Sequence, residues 1–360
     1  MSEWLDRPKA IRKGEELDVD ALSSYLNAEL AEVAGELVIE QFPSGFSNLT
    51  YLLRLGDTEL VLRRPPFGAN IKSAHDMGRE YTILSKLHPV FGKVPQPLHY
   101  CTDDKVIGAP FYVMERVQGV ILRSNMKAAM QPTSELMFGI ANSLAQNLVD
   151  LHAVDVESVG LGDFGKPDGY VQRQIEGWTR RYLRAKTDEV DSIERTARWL
   201  HDNMPPERGV ALIHNDYKYD NVVLDSADWR NIIAVLDWEM ATVGDPLMDL
   251  GTSLGYWVEA DDPPIMQMLA LSPTTLRGNP TRAEFVAMYA EKSGRDVTDV
   301  VFYYVYGLFK VAVIVQQIYK RFVMGHTQDP RFAGLIHAVR ACGQMAELAI
   351  DKGRIDRLFA

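Results

Sequence analysis

Residues 210–251, VALIHNDYKYDNVVLDSADWRNIIAVLDWEMATVGDPLMDLG, constrain this chain more than any other stretch. Two short apolar runs, 210–213 and 232–236, read as strands. Between them stand His214, Asp216 and Asn221, and Asp237 follows the second run directly. Strands hold their ends rigidly, so polar groups placed there can be brought to one point. A carboxylate, an amide five residues on and a second carboxylate past the next strand suit phosphoryl transfer. The first carboxylate orients an acceptor hydroxyl and takes its proton; the other two groups hold the cation that neutralises phosphate charge. Asp216 is therefore the candidate catalytic base. Asn221 and Asp237 are the candidate metal ligands, because magnesium takes one or two carboxylates beside phosphate and water oxygens. Asn and Asp also favour plain turns; the three residues together, with their flanking strands, favour a site. His214 reads as loop packing. Asp249 opens a helix, where a carboxylate accepts hydrogen bonds from loop amides and supports the catalytic loop.

Around this stretch the pattern changes character once. A helix is expected over 18–34, then strands over 37–41, 49–55 and 59–64, a helix over 74–87, and strands starting at 99 and 111. After Gly119 the periodicity is mostly helical, with helices over 135–154, 170–186, 191–201, 246–258, 281–293, 299–324 and 330–354. The proline-rich stretch 261–280 reads as a loop or lid. At 360 residues the chain can bury two cores. The expected fold is α+β and two-lobed. An N-lobe over 1–118 holds a leading helix and a small antiparallel sheet, and a mostly helical C-lobe over 119–360 holds the catalytic loop.

The N-lobe supplies candidates for the nucleotide. Ser44, Gly45, Ser47 and Asn48 lie between the first two strands, where glycine lets backbone approach closely and small polar side chains can cap phosphate oxygens. Arg63 ends the third strand and can reach the phosphates; Glu80, on the following helix, can pair with it and hold it. Arg64 should point to the opposite face. Residues 115–119 end the last small-lobe strand, and their backbone groups, that of Glu115 among them, can read an adenine edge, with Met114 and Val117 lining it. The triplet Asp163-Phe164-Gly165 spells a known metal motif but precedes the catalytic loop and follows no strand, so it reads as turn chemistry.

The net charge of −11 disfavours a general binder of nucleic acid or anionic membrane. Two cysteines form neither a metal pattern nor a disulfide framework. The most membrane-like run, 300–315, is shorter than a span and is interrupted by Lys310, so a buried helix is expected. No apolar core follows the charges of the N-terminus, and a cytoplasmic protein is expected.

The stretches SGFSNLTYLLR, LVLRRPP, REYTIL, FYVMERVQG, IHNDYKYDNVVLD and VLDWEMATVGDPLMDLG resemble the aminoglycoside phosphotransferase/choline kinase branch of the protein-kinase-like fold. Within it, the chain is most similar to the kinase-like domain found in some acyl-CoA dehydrogenase family proteins, over about residues 25–345. The resemblance implies that Asp216 is the catalytic aspartate, that Asn221 and Asp237 bind Mg2+, and that ATP (or GTP) is the donor. It also places Arg63 where the family often has lysine, which keeps the charge but not the compact ammonium geometry. The expected activity is ATP-dependent phosphorylation of a hydroxyl on a small molecule. Tyr170, Trp178, Tyr256, Trp257 and Tyr303 would favour a partly apolar acceptor. Two other readings stand beside it: a catalytically silent nucleotide-binding scaffold, and a metal-dependent phosphoester hydrolase built on His214, Asp216 and Asp237.

Overall fold

The computed structural model describes residues 7–30, 33, 35–43, 48–68, 76–124, 126, 131–327 and 329–359. Ser44, Gly45 and Ser47, three of the candidate phosphate contacts, lie outside these. In chain order the elements begin with α1 (Val19–Glu29), β1 (Leu37–Gln41), β2 (Leu49–Leu55), β3 (Thr58–Arg64), α2 (Met77–Phe91), β4 (Pro97–Cys101) and β5 (Phe111–Glu115). Next come α3 (Ser134–His152), α4 (Tyr170–Ala185), α5 (Asp191–Asp202), β6 (Ala211–Ile213), β7 (Val222–Leu224), β8 (Ile232–Val235) and β9 (Thr242–Gly244). The last five are α6 (Pro246–Gly255), α7 (Pro264–Leu269), α8 (Arg282–Ser293), α9 (Val300–Val323) and α10 (Leu335–Lys352). The chain divides into two compact units: Met1–Ile121 with Val222–Met240, and Leu122–Asn221 with Ala241–Ala360.

The first unit is built on an antiparallel sheet of order β1-β2-β3-β5-β4. Alternate side chains of β2 and β3, including Leu53, Leu55, Leu60 and Leu62, join Phe111 and Val113 of β5 and Leu22 and Leu26 of α1 in one apolar cluster. The period-two pattern of these strands and the helical spacing in α1 make that shared face. Asp18 caps α1 at the Ala21 N–H, and Asp76 caps α2 at the Arg79 N–H. The β7–β8 hairpin belongs to this unit. Val120 and Leu224 exchange both backbone hydrogen bonds at 2.8 Å, and Val235 N–H donates to Lys93 O at 2.8 Å. Glycine is required beside that bridge: a Cβ on Gly119 would lie 2.4 Å from Leu224 O.

The second unit gathers around α9, which packs on α4, α5, α6 and α10. By length and composition α9 could cross a membrane, yet 67% of its most apolar window is buried in the protein. Its crossing with α6 is close because neither helix carries a side chain at the contact. A Cβ on Gly251 would lie 2.2 Å from Tyr303 O, and one on Gly307 would lie 2.0 Å from Gly251 O.

Several local boundaries differ from the sequence pattern. β7 and β9 have three residues each, too few to show a period. Within 261–280, expected as a loop, Pro263 and Pro264 start the short helix α7, since proline suits a first helical turn. α2 runs past the expected end at 87 to Phe91, where Gly92 closes it in the left-handed conformation. The 330–332 stretch is a separate turn capped by Asp329, and α10 starts only at Leu335. Asp163 and Phe164 lie in a short turn against β9, with Gly165 so close that a Cβ would sit 2.6 Å from Val243 O.

Candidate active site

In the second unit, β6 pairs with β9 and delivers the chain into the loop at His214. Asp249, on α6 and fully buried, fixes that loop. Its carboxylate accepts the His214 N–H at 2.7 Å, the Asn215 N–H at 2.7 Å and His152 Nε2 at 3.1 Å. Burial opposes the charge of Asp249, but the bond from His152 and the loop N–H bonds outweigh it and hold the carboxyl below its usual range. His152 is itself steadied by the Tyr289 hydroxyl at 2.8 Å from Nδ1. His214 Nδ1 accepts the Asp216 N–H at 3.2 Å, so this ring packs and orders the loop.

Asp216 emerges from this frame with its side chain about one-fifth exposed (21%). Its Oδ2 receives Asn221 Nδ2 at 2.8 Å and an ion pair from Lys218, while Asn221 Nδ2 also donates to Asp216 O at 2.8 Å. Committing the Asn221 nitrogen to Asp216 leaves Oδ1 as the atom it can offer a cation. Lys218 lies over the Tyr256 ring, 5.2 Å from its centroid. The sequence reading passed over Lys218, although its place two residues after Asp216 was a usable signal.

In the first unit, Arg63 is buried among three carboxylates. Its Nε lies 3.4 Å from Glu80, and its Nη2 lies 2.8 Å from Asp237 and 3.9 Å from Glu239. Burial would lower the guanidinium; Glu80, Asp237 and Glu239 overcome it and keep Arg63 firmly cationic. Burial pushes Glu80 up and Arg63 pulls it back. Glu80 also accepts the Trp238 N–H at 3.2 Å, which ties α2 to the turn carrying Asp237. Asp237 adopts φ 67°, a conformation that Asn and Asp tolerate best among branched polar residues. Asn48 donates to Glu239 at 2.6 Å, linking the start of β2 to the same turn. Glu239 is the second residue the sequence reading missed; its spacing two residues beyond Asp237 was the available clue.

Magnesium fits this donor set. Among the described residues Arg63 faces three carboxylates, Glu80, Asp237 and Glu239, and carboxylate oxygens are what magnesium takes. Arg63→Lys should test the fork geometry: a single ammonium cannot face all three carboxylates as a guanidinium does. The variant should lose about 1–2 kcal/mol in denaturant unfolding, and an unchanged midpoint and slope would show that charge alone suffices.

The remaining candidates are placed as follows. Met114 is buried on β5 and Val117 half-buried beyond it. The Glu115 N–H donates to Gln96 O at 2.9 Å, and its carboxylate accepts the Gln96 N–H at 2.9 Å. That N–H, expected to read a base edge, is thus committed to the neighbouring loop. Arg64 is buried with its guanidinium on Pro65 O and Ile107 O, away from the carboxylates that hold Arg63. Of the five aromatic residues expected near an acceptor, Tyr170, Trp178, Trp257 and Tyr303 are buried; Trp257, for example, packs on Phe285 at 4.6 Å between ring centroids. Only Tyr256 is partly open.

The model of the phosphotransferase enzyme family matches residues 38–285. Acyl-CoA dehydrogenase family member 10 of Mus musculus is 34% identical over 346 residues, covering 95% of this chain but 32% of that protein. The chain thus spans about a third of that relative's length. Among solved structures, one from Ralstonia eutropha JMP134, described as an aminoglycoside phosphotransferase, superposes with a TM-score of 0.79 at 29% identity. That match covers 94% of this chain and 99% of the other. A thermostable mutant of aminoglycoside phosphotransferase APH(4)-Ia, solved with AMP-PNP and hygromycin B, has a TM-score of 0.56 at 15% identity, covering 89% and 98%. At that identity the likeness shows the shared fold.

Proposed function

We propose, since this chain belongs to the phosphotransferase enzyme family, that it moves the γ-phosphoryl group of ATP to a hydroxyl of a small molecule. The observation that carries this reading is Asp216, a partly exposed carboxylate on a loop whose neighbouring backbone groups are bonded to buried Asp249 and to His214. The acceptor hydroxyl donates its proton to Asp216 as its oxygen attacks the γ-phosphorus. The bond from that phosphorus to the β–γ bridging oxygen breaks, and ADP leaves. Asn221 and Lys218 hold the Asp216 carboxylate in one orientation, so little reorganisation is needed at the moment of transfer. Arg63, kept cationic by Glu80 and its neighbours, is suited to pair with phosphate oxygens. Asn221 through its amide oxygen, and Asp237 through its carboxylate, each offer the kind of oxygen magnesium takes, and the ion would supply the remaining charge neutralisation. The nucleotide in the APH(4)-Ia complex supports ATP as donor.

Calorimetric titration of ATP with and without magnesium, beside Asp237→Ala, tests the proposal. Magnesium-dependent binding that weakens at least about tenfold in the variant, followed by ADP release on adding hydroxylated acceptors, is the expected result. No binding by well-folded protein would sink it. Binding without ADP release on any acceptor would favour a silent scaffold, and phosphoester cleavage without ATP would favour a hydrolase.

A further inference from the structure

Within the buried run of α9 stands one basic side chain, which the reaction above does not use. Lys310 is 2% exposed, donates from Nζ to Asn215 O at 2.7 Å, and stands 5.7 Å from the centre of the Trp178 ring. Burying an ammonium costs free energy unless it is well partnered, and an apolar residue would pack this helix without that cost. The partner explains the residue.

Asn215 is held from several directions. Its N–H donates to Asp249 at 2.7 Å, its side-chain amide donates to the Tyr170 hydroxyl at 3.1 Å, and its φ is 64°. The peptide that follows is held at both polar ends. Lys310 takes its oxygen, and His214 Nδ1 accepts its N–H at 3.2 Å. That peptide leads directly into Asp216.

We propose that Lys310 is a positioning residue, acting from α9 on the Asn215–Asp216 peptide to set the direction in which the Asp216 carboxylate meets the acceptor hydroxyl. What is positioned rests on the phosphotransfer reading; the clamp itself does not. The geometry has an electrostatic companion. Lys310 is lowered to about 8, chiefly by burial and also by Lys218 and Arg181, against the pull of Asp216 and Asp249. The charge is therefore partly lost over a mildly alkaline range, weakening the bond to Asn215 O.

The test compares the full-length protein with Lys310→Met and Lys310→Arg, following ADP release from magnesium-ATP with water as acceptor and hydrogen exchange at the Asp216 amide. In Lys310→Met, kcat should fall about 10–100-fold with KM for ATP within about twofold, as expected of a misaimed base rather than a damaged nucleotide site. Exchange at the Asp216 amide should quicken at least about tenfold. Wild-type kcat should decline as pH rises through about 8. Lys310→Arg, which cannot lose its charge in that range, should hold its rate. A wild-type kcat in Lys310→Met, or matching pH profiles in wild type and Lys310→Arg, would overturn the proposal. If arginine is not accommodated, seen as lost cooperative unfolding, the exchange rate in Lys310→Met decides, and an unchanged rate overturns it. Absence of ADP release from the wild type would instead sink the phosphotransfer reading, with exchange still deciding the clamp.

Discussion

Asp216→Asn should leave ATP affinity within about twofold and cut ADP release by about 10²–10⁴-fold, the usual weight of a general base. Asparagine keeps the size of aspartate and an oxygen for Lys218 and Asn221, which bind Oδ2 in the native loop. It cannot take up the hydroxyl proton. The loss should therefore appear in kcat, with KM for ATP little changed. Stopped assays of ADP with and without acceptor, on protein whose circular dichroism matches wild type, would measure it. Undiminished turnover in folded Asp216→Asn would remove Asp216 from the base role.

Asp249→Ala is expected to act through the fold. It removes a buried carboxylate that accepts two loop N–H bonds and one from His152. Leaving those donors without their acceptor should cost about 3–5 kcal/mol in denaturant unfolding. The pH dependence has a definite sign. The carboxyl of Asp249 lies below its usual range when folded, because its hydrogen bonds outweigh the burial that opposes ionisation. Its contribution is thus fully present above the unfolded carboxyl range, about pH 4, and is lost as pH falls through the folded value. The stability gap between wild type and variant should be flat near neutrality and narrow in acid. A gap that widened as pH fell would show that Asp249 does not carry the loop as a charged acceptor.

The small sheet followed by helices was legible because period-two strands and helical stripes record which face is buried. Leu53, Leu55 and Leu62 declare a sheet face in the same way that Leu22 and Leu26 declare a helix face. The positions of Arg63 and Glu80, a strand end and the next helix, were also legible, and the structure brings their charged groups to 3.4 Å. Other features left no local trace. β7 and β9 are too short for a period and exist through their partners, β8 and β6. Lys310 looked like an interruption of an apolar run, because its partner, Asn215 O, is 95 positions away. Glu239 and Lys218 carry a spacing clue, two residues beyond Asp237 and Asp216, but only the packed turns show which groups they face, Arg63 and Asp216. Pairing across long separations is where pattern reading ends.

The interleaving of the two units has a consequence for biosynthesis. Between the two segments of the first unit lie 100 residues, 122–221, which a ribosome adds in roughly 5–20 s. Throughout that interval Val120 awaits Leu224, and Arg63 can meet Glu80 but not Asp237 or Glu239. Translation then completes this charge cluster before α9 has been made. The loop at Asn215–Asp216 is completed later, since Asp249 and then Lys310 reach it only with later parts of the chain. A nascent chain thus completes the charge cluster around Arg63 before the Asn215–Asp216 loop gains its last partner, and α9, apolar enough by length and composition to span a membrane, is made after that cluster.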